Sequence, residues 1–390
     1  MNQGKYVFAQ LNSLIVRYEF EKCVNRYNGN YKVRDFNCWG QFLCMMFGQL
    51  THRESIRDIT TCLKAHQNKA YHLGIKQPIS HSTLTRANEK QDWRIYADFA
   101  QYLIELVRPL YASDDEFAID LDNTVYALDS TTIDLCLSVF PWAKFRKKKG
   151  AVKMHTLLDL RGNIPVFIDI TDGKIHDVNI LDLIDFEAGA FYVMDKAYTD
   201  FDRLFEINQS RAFFVIRAKN NLKYRRISSQ WVDKVTGLRC DQTIKLTGIK
   251  TSTLYSEKLR RIKYYDAEND LLLVFLTNNF EVEAIDVCML YKSRWKIELF
   301  FKWIKQHLRI KTFWGYSPNA VKTQIWIAIC TYLLIAYAKK KLKSDLSLYE
   351  ITQILGVSVF DKTPLNELLT NFSKNELIID KYNQLNMFEL

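Results

Sequence analysis

The chain has 390 residues, room for two or three domains that each bury a core of their own. Hydrophobic content of 48%, charged content of 25% and only 13 Gly and 6 Pro exclude a disordered or low-complexity chain. Lys and Arg number 54 against 44 acids, a net charge of +10 that points to a polyanionic partner, nucleic acid first.

Eight cysteines are scattered, with no Cys-x2-Cys pair and no Cys/His cluster at zinc-finger spacing. That usage fits a reduced, cytoplasmic protein. Met1 to Val16 carries no signal-peptide pattern. The longest apolar stretch, Ile325 to Ala338, is too short to span a bilayer and reads as a buried core helix, so no membrane partner is expected.

Residues 1–118 read as a helical domain. "WGQFLCMMFGQL" suits a buried helix, and Thr51 and Glu54 stand at capping-box spacing before "SIRDITTCLKAH". "SHSTLTRANEK" opens with serines able to cap it and is polar and basic. An amphipathic segment from Asp92 stops at Pro109. Short helices with a polar, basic third member suit either a helix-turn-helix-like DNA reader or a plain bundle.

From Thr124 the pattern becomes β-branched and alternating. "TVYALDSTTIDL" reads as a strand, and "VKMHTLLDL" and "NIPVFIDIT" as a hairpin turning at Arg161-Gly162. "HDVNILDLIDF" reads as a helix, followed by strand "AFYVMDKAY", helix "DFDRLFEINQS" and strand "AFFVIRA". The order β-β-β-α-β-α-β predicts a mixed sheet flanked by helices. Residues 219–278 are basic and rich in Thr and Ser, and read as a β-rich insertion. Helices resume at 281 and continue into a C-terminal helical segment, 346–390, able to serve oligomerisation.

Asp129 ends an apolar strand and Asp195 sits at the end of "FYVM". A carboxylate at a buried strand end is costly unless paired, protonated or metal-bound, although each could simply cap the next turn. The helix from 285 to 308 adds a third acid. Taking Tyr291 as zero, Arg294 falls at roughly 300°, Glu298 at roughly 340° and Lys305 at roughly 320°. Beside this polar arc runs an apolar stripe of Ile297, Phe300, Phe301, Ile304 and Leu308 that must dock on something, a sheet being the obvious partner. A surface salt bridge between Arg294 and Glu298, at i,i+4, is the plainer alternative.

Tyr291, Arg294, Glu298 and Lys305 spell Tyr-x2-Arg-x3-Glu-x6-Lys. That resembles the signature of DDE transposases of bacterial insertion sequences, the insertion-sequence-four family. "ALDST" around Asp129 resembles the family's first-Asp strand. "MDKAY" around Asp195 is similar to its second-Asp motif, with Lys196 and Ala197 in place of the usual Arg and Gly. The resemblance covers roughly 120–340 and implies an RNase H-like catalytic domain, here 119–345, with the β-rich insertion between the second Asp and the Glu.

What it implies chemically suits these residue types. Asp129, Asp195 and Glu298 would ligate two Mg2+ or Mn2+ ions and catalyse end cleavage, then transfer of the 3′-hydroxyl into target DNA. A hairpin intermediate at the transposon end is implied too, and Trp295 could stack on the unstacked DNA, with Trp231 a weaker alternative. Tyr291, Arg294 and Lys305 would contact DNA phosphates. Basic runs at Lys144–Lys149, Lys219–Arg226, Lys258–Lys263 and Lys339–Lys343 would extend the footprint. His176, Asp134 and Asp159 read as local structural residues.

The expected function is therefore a cut-and-paste transposase, a homodimer acting on paired double-stranded ends and target DNA. A nuclease of the same fold without strand transfer, or a domesticated DNA-binding protein, are the other readings. The presence of all three carboxylates disfavours the last.

Overall fold

A computed structural model describes residues 4–75, 77–112, 121–146 and 149–370. The chain forms two compact units: residues 1–111, 138–142 and 302–390, and residues 112–137 and 143–301. This division differs from the boundaries at 118 and 345 suggested by the sequence, because the last helices group with the first.

The first unit begins with α1 (Val7–Asn12), α2 (Arg17–Arg26), α3 (Cys38–Leu50), α4 (Ile56–Ala65), α5 (Gln67–His72), α6 (His81–Lys90) and α7 (Arg94–Tyr111). α3 is buried almost all round, as its composition demands. Thr51 does not open α4. It closes α3, its hydroxyl donating to the Phe47 carbonyl at 2.7 Å, and the α4 cap is Ser55, which accepts from Asp58 N. Ser80 caps α6 by accepting from Thr83 N.

The second unit is built on one sheet. Its strands are β1 (Val125–Leu135), β2 (Lys144–Arg146), β3 (Lys149–Asp159), β4 (Ile164–Asp172), β5 (Phe191–Met194), β6 (Phe213–Arg217), β7 (Tyr224–Gln230), β8 (Leu238–Leu246), β9 (Leu259–Asp266) and β10 (Leu271–Thr277). They lie in the order β2-β3-β1-β5-β6-β10-β9-β8-β7, with β4 paired to β3. β1, β5 and β6 are parallel neighbours and the other pairs antiparallel. This is the mixed, RNase H-like sheet the resemblance implied. The insertion is not a separate body: β10 pairs with β6, so its strands extend the same sheet.

Between β4 and β5 the expected α-helix is a 3-10 helix, Asp177–Leu183. The 3-10 geometry, with its tighter turn, is common in short connecting pieces such as this one. α8 (Phe201–Gln209) links β5 to β6, and α9 (Ile249–Leu254) links β8 to β9. Two helices follow β10, namely α10 (Ala284–Ser293) and α11 (Trp295–His307), and the unit border falls within α11 after Phe301.

The chain returns to the helical unit with α12 (Pro318–Lys341), α13 (Leu348–Ser358) and α14 (Leu365–Thr370). α12 is long and apolar enough to cross a membrane by length and composition, but 94% of its most apolar window is buried within the protein. It packs on α7 and α3, and Tyr111 donates to its Ala336 carbonyl at 2.9 Å. Of the expected C-terminal helical segment, residues 371–390 lie outside the described residues.

Candidate active site

The parallel pairing of β1 with β5 ends at Leu128 and Met194. The next residue on each chain is Asp129 and Asp195, so both acids stand side by side where two buried strands part. β1 runs on to Leu135 only because β3 still pairs with it, Asp129 opposite Thr156. Asp195 occupies the cap position of a 3-10 helix, Lys196–Tyr198, yet its side chain makes no capping bond. Instead its carboxylate accepts from the Tyr291 hydroxyl at 3.4 Å.

Tyr291 lies on α10, which packs on β5 and β6, and its ring contacts Phe275 of β10 at 4.7 Å between centroids. The helical path tightens at Arg294, where Arg294 N donates to Tyr291 O and Ile297 N donates to Arg294 O. α10 and α11 are therefore two helices meeting at one residue rather than one continuous helix. Arg294 keeps right-handed dihedrals, φ −53° and ψ −28°, so the polar face carries across the join. Ile297, Phe300 and Phe301 are buried, as the apolar stripe required. Lys296 donates to the Leu160 carbonyl at 3.4 Å, tying the start of α11 to the β3–β4 turn.

Arg294 links two of the three acids. One of its terminal nitrogens donates to Asp129 Oδ2 at 2.7 Å, the other to Glu298 Oε1 at 2.6 Å. The surface-pair alternative thus holds only in part: the i,i+4 bridge forms, but the same guanidinium also reaches Asp129 of β1. Arg294 Nε is buried without a hydrogen-bond partner. Burial raises the Asp129 pKa; Arg294 and the Ser130 N–H oppose this, and Glu298 and Asp195 add to it. Burial works against the Arg294 charge, but Asp129, Tyr291 and Glu298 outweigh it and hold its pKa above the ordinary value. Burial likewise raises the Tyr291 pKa.

Around Asp129 stand residues the sequence reading did not select. The Ser130 hydroxyl donates to Asp177 Oδ1 at 2.8 Å, and Lys153 Nζ donates to the same oxygen at 3.0 Å. Tyr198 is buried, its hydroxyl pKa raised by burial and then by Asp129 and Asp177. Ser130 and Tyr198 lie within the quoted "ALDST" and "MDKAY", and Asp177 is adjacent to His176, while Lys153 carried no signal beyond its place in a strand. His176 holds the cap position of the 3-10 helix without a side-chain capping bond.

Of the remaining expected residues, Trp295 is 59% exposed and so is not a core residue. Lys305 is half-buried on the later part of α11, in the helical unit. Trp231 is 87% exposed just beyond β7. The basic runs divide. Lys223, Arg225 and Arg226 are exposed, whereas Arg260 is buried against Asp241 and is unavailable to DNA. Of Lys144–Lys149, Lys147 and Lys148 lie outside the described residues.

The acids form an all-oxygen donor set of the kind that suits a hard divalent cation. Among the described residues no three His, Cys, Asp or Glu side chains are gathered at ligand spacing. The positive charge that Asp129 and Glu298 share is Arg294. The three acids offer oxygen donors of the right kind for a divalent ion, and Arg294 is bonded to two of them.

Comparison with known proteins shows the family. Residues 120–334, more than half of the chain, match the family described as the transposase DDE domain, and residues 3–76 match a domain of unknown function. A protein of Sinorhizobium fredii named as transposase y4zB is 34% identical over 60% of this chain and 66% of its own length. A protein of Geobacillus stearothermophilus named as the transposase of insertion sequence element IS5377 is 28% identical over 57% of this chain and 59% of its own. The chain thus spans less than two thirds of either relative's length. Among solved structures, a piggyBac transposase synaptic complex with hairpin DNA is similar, with a TM-score of 0.44 and 10% identity over 98% of this chain and 85% of that one. The chain belongs to the transposase DDE domain family.

Proposed function

For this member of the transposase DDE family, we propose cut-and-paste transposition of an insertion sequence: metal-dependent cleavage at the element's ends, then 3′-hydroxyl transfer into target DNA. The observation that carries the reading is that Asp129 and Asp195 each follow the last paired residues of β1 and β5, with Glu298 joined to Asp129 through one arginine. Asp129, Asp195 and Glu298 would hold Mg2+ or Mn2+, two ions in all. When bound, the metal lowers the pKa of the attacking oxygen and stabilises the leaving one.

The chain's own residues prepare that site. Tyr291 holds the Asp195 carboxylate, and Ser130 N–H fixes one oxygen of Asp129. Arg294 occupies the acids in the DNA-free protein and would exchange them for a phosphate near the scissile bond, a charge-assisted contact it can make with the same two nitrogens. Lys305 would hold a further phosphate, and exposed Trp295 would stack on a base displaced at the end, as a hairpin step demands. The working form would be a homodimer on paired double-stranded ends.

The test is cleavage of an end duplex by Glu298→Gln beside the parent, with Mg2+ and with excess EDTA. Glu298→Gln should bind the end and fail to cut, and EDTA should stop the parent. Cutting by the variant, or by the parent in EDTA, would sink the proposal. Joining of the released 3′-end to a plasmid distinguishes transposition from simple nuclease action.

A further inference from the structure

Resting on the proposed action on DNA, we propose that α6 is the helix that reads the sequence of the element's ends, entering the major groove with Arg86 at its centre.

α6 is held as a fixed platform. Its buried face is narrow: Leu84, Ala87 and Asn88. Asn88 accepts from Gln41 of α3 at 2.6 Å, and its backbone carbonyl accepts from Asn319 of α12 at 2.8 Å. Buried polar bonds of this kind fix one register, where apolar packing alone would tolerate sliding.

The opposite face is free. With Leu84 at zero, Ser82, Arg86 and Glu89 fall at roughly 160°, 200° and 140°, directly away from the buried face. All three are exposed. They are the side-chain types that read base edges: Arg bidentate to guanine, Glu accepting from cytosine, Ser to either.

Beside α6 runs a hollow of about 640 Å³ whose lining includes Tyr27, Tyr31, Lys32, Arg86, Lys90 and Asp92. Asp92 is spent on Arg94, at 2.6 Å. No carboxylate among the described residues is paired with Lys32, Arg86 or Lys90. The hollow is therefore cationic, and its charge matches a phosphate backbone. A second hollow of about 420 Å³, lined by Arg17 and Asp35 among others, shares Phe36 and Thr83 with the first, so the two adjoin along one flank of α6.

The wall carrying Tyr31 and Lys32 is rigid. Asn30 Oδ1 accepts from Cys38 N at 2.9 Å, and Asn28 and Lys32 hold positive φ, 51° and 56°. Gly29 cannot be replaced without collision, since a Cβ there would lie 2.5 Å from Ile95 Cδ1. The backbone at Lys32 is thus set beside the hollow.

The test uses labelled duplexes cut from the DNA flanking the coding region and a shuffled duplex of equal composition, in the full chain, by anisotropy over a salt series. Arg86→Ala should lower the flank-over-shuffled preference by about 5- to 150-fold. Arg86→Lys should lose that preference while keeping its affinity for the shuffled duplex. Lys32→Ala and Lys90→Ala should weaken both duplexes alike, and each should reduce the salt slope by about one. These side chains are exposed, and unchanged melting of each variant confirms folding. Parental preference with Arg86 variants that retain it overturns the assignment of α6 and leaves the proposed function standing. A parent that binds neither duplex overturns both, as does tighter binding of single-stranded RNA than of either duplex.

Discussion

Two arginine–carboxylate assemblies sit in the same unit and use the same chemistry to different ends. Arg260 on β9 meets Asp241 on β8 through two bonds, 2.9 and 2.7 Å, with side chains only 6% and 5% exposed. A third bond goes to the Val282 carbonyl. Arg294 spends one bond on Asp129 and one on Glu298, from two different elements, with side-chain exposures of 15%, 22% and 34%. A bidentate pair sealed from water has no competitor and acts as a structural fastening. A guanidinium divided between two reachable acids, with one nitrogen unsatisfied, can be displaced by another cation or drawn off by an anion. The difference separates an arginine that holds a fold from one that waits at a site.

The largest effect expected from this contrast is on stability. Asp241→Ala leaves the Arg260 charge buried and unpaired and should cost about 3–5 kcal/mol of unfolding free energy. Replacing both partners with apolar residues of similar volume, Asp241→Leu with Arg260→Met, should recover most of it. Chemical denaturation reads both. A single variant as stable as the parent would mean the sealed pair is not a fastening.

Next in size is the shared arginine. Arg294→Ala removes the cation that competes for Asp129 and Glu298, so Mn2+ should bind the DNA-free protein about fivefold more tightly, the equivalent of about 1 kcal/mol. The same variant should bind end DNA with a lower salt slope and cut it poorly. Titration calorimetry with Mn2+ decides the first point. Weaker Mn2+ binding would show that Arg294 organises the acids rather than competing for them.

Much of this arrangement was legible because it is local. The place of Asp195 just past its strand follows from alternation, and the face shared by Tyr291, Arg294 and Glu298 follows from helical geometry, whereas Asp129 does not end its strand, because β1 runs on to Leu135. What needed long-range pairing was not legible. Periodicity identifies the 219–278 strands but cannot say that β10 joins β6 or that β8 brings Asp241 to Arg260. Arg260 therefore read as one more surface cation in a basic run. The grouping of α12 with α3 and α7 escaped for the same reason. Thr51 had the right neighbours for an α4 cap, but α3 used it first. The α6 face was visible as a polar, basic helix, while its hollows depend on the α2–α3 loop folding back beside it.

The smallest effect tests a third buried polar group in the same sheet. His155 on β3 is fully buried, shares a hydrogen bond with Thr171 at 2.8 Å and lies 3.8 Å from the Asp177 oxygen that also accepts from Ser130 and Lys153. Burial lowers its pKa below the ordinary 6.5; Asp177 and Asp169 oppose this, and Lys153 adds to it. The folded chain thus takes up this proton less readily than the unfolded chain. Stability from this source is complete above the unfolded pKa of 6.5 and is lost as pH falls from there toward the folded value. His52 and His307 in the helical unit are lowered by burial too, so the parent should keep part of the slope when His155 is replaced. His155→Gln should flatten, but not abolish, the fall in unfolding free energy below pH 6.5. Denaturant titrations of parent and variant over that range measure it. An unchanged slope would mean that His155 accepts its proton in the folded sheet, drawn by Asp177, and that this carboxylate is less committed to Ser130 and Lys153 than its geometry indicates.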